Sequence, residues 1–99
     1  MAGRILSLIG LGIRAGSVVA GTAGVRAAIK RGDVTLVVVA EDHSRRTADK
    51  VVRLATAKGV EVVVGPCASD LGRILDRDAV EAVGVRDLKL AQGIRAVAP

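Results

Sequence analysis

The stretch Val34-Thr-Leu-Val-Val-Val-Ala40 constrains this fold more than any other part of the chain. It is β-branched and apolar at consecutive positions, so a strand built from it presents apolar side chains to both faces. A strand with one face in water alternates apolar and polar residues instead. The sheet that contains this segment must therefore be covered on both sides, and covers of that kind are helices. The flanking sequence supplies them. Ile5, Leu8, Ile9 and Ile13 recur at helical spacing and Gly16 supplies a stop, which predicts a first helix over residues 4–15. Ser17 to Ala20 reads as a short strand. Gly21-Thr22 then opens a second helix, with Thr22 as its N-cap, Val25, Ala28 and Ile29 as its inner face, and Gly32 as its end.

Beyond the buried run the alternation continues. Ser44 caps a third helix whose inner stripe is Ala48, Val51, Val52 and Ala55, with Asp49 and Arg53 as an exposed pair and Gly59 as the stop. Val60 to Val64 reads as the next buried strand. Ser69 caps a short fourth helix through Leu71, Ile74 and Leu75. Ala79 to Val85 is a fourth strand, and Leu88 to Val97 a last helix with Leu90, Ala91, Ile94 and Val97 in register. The expectation is an α/β fold, a three-layer α/β/α sandwich around a four-stranded mixed sheet. At 99 residues and 51% hydrophobic content, residues 1–99 are expected to form a single domain.

Composition narrows the function. Leu36 to Ala40 is far shorter than the roughly 20 residues of a membrane span. The apolar stretch between Arg4 and Arg14 is too short and glycine-rich for a secretory signal, so a cytoplasmic protein without membrane contact is expected. Cys67 is the single cysteine, which precludes an internal disulfide and fits a buried or half-buried structural thiol. The net charge of +5 arises entirely before Asp33, from Arg4, Arg14, Arg26, Lys30 and Arg31. A local excess of that kind favours polyanions through phosphate contacts. Because Phe, Tyr and Trp are absent, base-stacking platforms of the RRM or OB type are excluded. Nucleic acid would have to be held by backbone amides, basic side chains and aliphatic contacts.

Enzymatic motifs do not assemble. Gly10-Leu-Gly12-Ile-Arg-Ala15 matches a dinucleotide fingerprint in letters, but its glycines fall late in a helix instead of between a strand and a helix. Glu41-Asp42-His43 follows the buried strand, yet one histidine without further converging ligands does not make a zinc site. Asp42 is expected to hold the turn before the third helix, and His43 to be an exposed loop residue. No catalytic residue, cofactor, metal or small-molecule substrate is expected. The segment Gly21-Thr-Ala-Gly-Val-Arg-Ala-Ala-Ile-Lys-Arg-Gly32 is the most informative: a strand leads into a helix start with two small residues, and basic groups lie along the helix. Its free amides and positive dipole end suit phosphate or a distorted RNA backbone.

The order and spacing of these pieces resemble the ribosomal protein L7Ae/L30e superfamily, above all its short bacterial ribosome-associated members. Leu8 to Gly16 is similar to the family's opening helix "LLGLARRAGK". Ala28-Ile29-Lys30-Arg31-Gly32 and Leu36 to Asp42 resemble its central helix-to-strand segment. Thr47-Ala-Asp-Lys50, Gly59-Val60, Leu71-Gly72-Arg73 and Val83 to Asp87 fit the later elements. The resemblance implies an RNA-binding protein, ribosomal or ribosome-associated, that recognises a kink-turn or similar structured RNA, with ribosomal proteins as further partners. By position it implies an RNA surface of Gly21, Thr22, Ala23, Gly24, Arg26, Ala27, Lys30 and Arg31 from the first turn, and Arg77, Asp78, Ala79 and Val80 from the loop before the last strand. Kink-turn binders often carry Asn-Glu where this chain has Ala23-Gly24, and Lys at Ala27. That small, apolar surface also suits an alternative: a protein-interaction module on the same scaffold.

Overall fold

At Leu36–Val39 every residue is buried, and alternate side chains enter two different cores. Leu36 and Val38 join Ile5, Ile9, Leu71, Val83, Val85 and Ile94. Val37 and Val39 join Val25, Ala28, Ile29, Val51 and Ala55 on the other face. This is the two-sided burial the β-branched run demands. The computed structural model describes residues 2–98.

The elements are α1 (Ala2–Ala15), β1 (Val18–Ala20), α2 (Thr22–Lys30), β2 (Leu36–Val39), α3, β3 (Glu61–Val64), α4 (Ala68–Ile74), β4 (Ala82–Val85) and α5 (Leu88–Val97). Helix α3 begins as Arg45–Thr47, widens into a π turn over Ala48–Val52 and closes as Arg53–Ala57. The sheet order is β1-β4-β2-β3, with β4 antiparallel to both neighbours and β2 parallel to β3. Helices α1, α4 and α5 cover one face, α2 and α3 the other. The fold is the expected α/β/α sandwich on a four-stranded mixed sheet.

Five expectations are corrected. Val60 to Val64 is not a buried strand: among the described residues β3 pairs with β2 alone, and Glu61 and Val64 are exposed. A β-branched run does not say whether its strand lies at a centre or an edge; β4, inserted between β1 and β2, decides that. Ser69 does not cap α4. The cap position is Cys67, and the carboxylate of Asp42 reaches across from the end of β2 to accept from the Ala68 amide at 2.8 Å. Asp42 thus ties the β2 loop to α4 instead of holding the turn before α3. The last strand begins at Ala82, three residues later than expected, because the Val80 amide donates to Ala68 (3.0 Å). His43 is partly buried, with Nδ1 2.7 Å from the Ala40 carbonyl.

The π turn in α3 has a packing consequence. Thr47, Val51 and Ala55 are all buried although four residues separate each pair, wider than the 3.6-residue repeat of an α-helix. A turn with i→i+5 bonding takes up that excess and keeps Thr47 on the inner side together with Val51. Ser44 accepts from the Thr47 amide as the expected N-cap (3.2 Å).

Candidate nucleic-acid interface

Helix α2 starts without a side-chain cap. Gly21 holds the cap position at φ 92° and ψ 150°, a conformation open in practice only to glycine. Its amide donates to Ala82 and its carbonyl accepts from Val25, both at 2.9 Å. Thr22, expected to be the cap, is instead the first helical residue, and its hydroxyl meets that of Thr47 at 3.1 Å. The amides of Thr22, Ala23 and Gly24 therefore lack an intrahelical acceptor. No acidic residue stands in the first turn to offset the dipole. Gly24 is small for a reason of packing, since a Cβ there would lie 3.1 Å from Val19 Cγ1.

The second segment implied by the resemblance comes to the same place. The loop between α4 and β4 passes beside Gly21, and a Cβ on Gly21 would lie 3.3 Å from Arg77 Nη1. Asp76 turns this loop at φ 58°. Arg77, Asp78 and Ala79 are exposed. Val80 is not: it is 3% exposed and belongs to the core beneath α1 and α4, so its side chain cannot meet an extruded base.

On the other side of the turn a groove of about 390 Å³ runs between α2 and α3. Arg26, Arg46 and Lys50 are its basic groups, Ala23 is on its wall, and Thr22, Ser44, Thr47 and Glu81 form a connected polar set. Arg26 donates to the Lys50 carbonyl at 2.8 Å, which ties α2 to the π turn. Lys30 and Arg31 stand at the opposite end of α2. A nine-residue helix is about 13 Å long, so these two are not brought to the Gly21 turn. Arg31 pairs with Asp33 (3.5 Å), which also pairs with Arg86 (3.1 Å). Ala27 is exposed on the same helix. Arg46 and Lys50 were not singled out by sequence; the signal available was a pair of arginines directly after the Ser44 cap.

Glu81 is the acid of this groove, and its charge is engaged. The Ser44 amide donates to Oε1 at 2.7 Å. That bond first, and the Thr47 hydroxyl second, hold the carboxyl below its usual value of 4.5, against the opposing pull of desolvation. A depressed folded-state pKa stabilises the protein above the unfolded pKa, and the stabilisation is lost as pH falls through the folded value. Glu81→Gln keeps the acceptor oxygen and removes only the charge, and is expected to cost about 0.5–1 kcal/mol at pH 7 in this solvent-screened position. Urea denaturation of both proteins at neutral pH and at a series of acid pH values checks this: the gap narrows as pH falls through the folded value, and a constant gap rules out the charge as its cause.

The fold and this surface define a class: a small α/β/α protein with one basic face built on a strand-to-helix turn. The chain belongs to the Ribosomal protein L7Ae/L30e/S12e/Gadd45 family, whose model matches residues 4–94. It is similar to a Bacillus halodurans protein described as of unknown function, at 29% identity and a TM-score of 0.86 over 94% of each chain. It also shares its fold with a Giardia lamblia 15.5kD RNA binding protein, at 19% identity and a TM-score of 0.74, over 94% of this chain and 80% of that one. A search of curated proteins finds no match.

Proposed function

We propose that residues 1–99 are one RNA-binding domain, ribosomal or ribosome-associated and cytoplasmic, that seats a kink-turn or similarly bent RNA against the turn from Gly21 to Gly24. The observation that carries this is the uncapped, acid-free start of α2 lying between Arg77 on one side and the Arg26–Arg46–Lys50 groove on the other. Family membership and the fold shared with the Giardia RNA-binding protein support the same reading. The role requires neither catalysis nor a cofactor.

Recognition on this surface rests on backbone shape and phosphates. Ala23, Gly24 and Ala27 carry no group able to read a base edge, while helix-terminal amides and guanidinium groups position phosphates without regard to sequence. Arg26 spends one donor on Lys50; a guanidinium has five. Lys30 and Arg31 extend the contact only for an RNA that follows α2 along its length.

Binding to a kink-turn RNA and to a plain duplex of equal length, each across several salt concentrations, tests the proposal. The bent RNA is expected to bind more tightly. Arg26→Ala combined with Arg46→Ala is expected to reduce the log–log salt slope by about two, roughly one per phosphate contact. Equal weak affinity for both RNAs would sink motif recognition, and an unchanged slope would remove the groove rim from the interface. The exposed Ala23 and Ala27 also suit the protein-interaction reading. Association with ribosomes that survives nuclease digestion favours that alternative.

A further inference from the structure

The groove between α2 and α3 contains a group that a role toward phosphates does not explain. Arg26, Arg46 and Lys50 suit a polyanion, but Glu81 stands among them on the groove lining. Hydrogen bonds from Ser44 and Thr47 hold its carboxyl below the ordinary value, so it is an anion at neutral pH. Among the described residues Glu81 is in no ion pair, although three cations line the same groove. A carboxylate beside a phosphate path weakens binding through like-charge repulsion. It favours binding only where the ligand meets it with hydrogen-bond donors.

The carboxylate is fixed in place and has acceptor capacity to spare. Its Oε1 accepts from the Ser44 amide at 2.7 Å. Thr47, which supports it, also meets the hydroxyls of Thr22 (3.1 Å) and Ser44 (3.4 Å), so the acid is anchored to both α2 and α3. An ionised carboxylate offers about four acceptor positions, and Ser44 and Thr47 occupy only part of them. The rest of the groove suits an unstacked base. Its volume of about 390 Å³ lies within the span of small-ligand pockets, about 300–1,000 Å³. Bases outside an RNA helix stack on aromatic rings or on guanidinium planes. The chain has no Phe, Tyr or Trp, but the Arg26 guanidinium is steadied by its 2.8 Å bond to the Lys50 carbonyl.

We infer that this groove seats one unpaired base of the bound RNA and that Glu81 selects guanine there. Guanine presents two adjacent donors on its Watson–Crick edge, N1–H and the N2 amine, and one carboxylate accepts both. Adenine and cytosine each set an amine beside a ring-nitrogen acceptor. Uracil sets its single N–H between two carbonyl oxygens, and an anion repels such acceptors. The flanking phosphates are left to Arg46 and Lys50, so cations and acid serve one nucleotide instead of opposing each other. Base selection rests on the RNA binding proposed above and adds sequence to it: the Gly21 turn positions the backbone, and the groove reads a base.

The full chain is titrated with five kink-turn RNAs that differ only in one unpaired bulge nucleotide: guanosine, adenosine, cytidine, uridine, or inosine, which lacks the N2 amine. The guanosine RNA is expected to bind at least about tenfold more tightly than the uridine RNA, the discrimination of one good bidentate contact. The inosine RNA falls between them. Glu81→Gln offers one acceptor oxygen and a donating amide, and is expected to cut that ratio to less than about threefold. Circular dichroism confirms that the variant folds. Loss of an anchor for α3 would weaken all five RNAs alike and keep their order, so the ratio separates base reading from a structural role. Equal affinity for the five RNAs, or a guanosine preference that survives Glu81→Gln, overturns base selection and leaves RNA binding standing. Tighter binding of all five by the variant in unchanged order also overturns it, because the acid then only repels. Failure of every RNA to bind overturns the RNA reading itself, and the selection with it.

Discussion

Ala23→Asp is expected to weaken RNA binding by about tenfold or more while leaving the protein at least as stable as the wild type. Ala23 is exposed in the first turn of α2, on the wall of the basic groove. A carboxylate at a helix N-terminus interacts favourably with the dipole, by about 0.3–1 kcal/mol, so stability is expected to hold or rise slightly. The same charge would face the phosphates proposed to lie on the amides of Thr22, Ala23 and Gly24. Two like charges about 4 Å apart repel by roughly 1 kcal/mol in water and by roughly 4 kcal/mol near a protein surface. An energy of 1.4 kcal/mol is already tenfold in affinity. Thermal denaturation and a binding isotherm at one salt concentration are sufficient. Undiminished RNA affinity in a variant of normal Tm would remove the α2 N-terminus from the RNA surface.

Gly72→Val is expected to cost about 3 kcal/mol, the upper part of the range for overpacking a tight site. A Cβ on Gly72 would lie 2.8 Å from the Cα and amide nitrogen of Ala79 and from the Arg77 carbonyl oxygen. These are backbone atoms, so no rotamer change relieves the clash. The Gly72 carbonyl also accepts from Leu75 (3.0 Å) and Arg77 (2.8 Å); a shift of α4 strains both bonds. For a domain of this size each kcal/mol lowers Tm by roughly 4–8 °C, so a fall of about 15 °C is expected. The loop that carries Arg77 beside Gly21 is displaced with it, and RNA affinity is expected to fall in parallel. Gly10→Ala is the control. It lies within α1 with nothing inside 4 Å of an added Cβ, and is expected to gain about 0.5–1 kcal/mol. If Gly72→Val melts as late as Gly10→Ala, the close approach of α4 and the loop is not real.

Much of this protein is written in short-range pattern. The run from Leu36 to Ala40 forces a sheet covered on both faces. The period of Ile5, Ile9 and Ile13, of Val25, Ala28 and Ile29, and of Ala91 and Ile94 places helices around it. Gly32 and Gly59, at φ 72° and 74°, end two of them where expected. Each of these signals is a relation among residues within a few turns of one another, and backbone sterics with side-chain period suffice to read it. The strand-to-helix turn at Gly21 was visible for the same reason.

Tertiary structure decided the rest. It set β4 between β1 and β2, which turned Val60–Val64 into an edge strand. It carried the Asp42 carboxylate to the Ala68 amide, buried Val80, and placed Arg77 against Gly21. It also divided the basic residues, setting Arg26 with Arg46 and Lys50 in one groove while Arg31 went to Asp33 at the far end of α2. Apart from the neighbouring Arg31–Asp33 pair, these are contacts between residues some 12 to 67 positions apart in sequence. Periodicity within an element carries no information on such distances; they follow from how the covered sheet orders its strands and which loops that order brings to the same end.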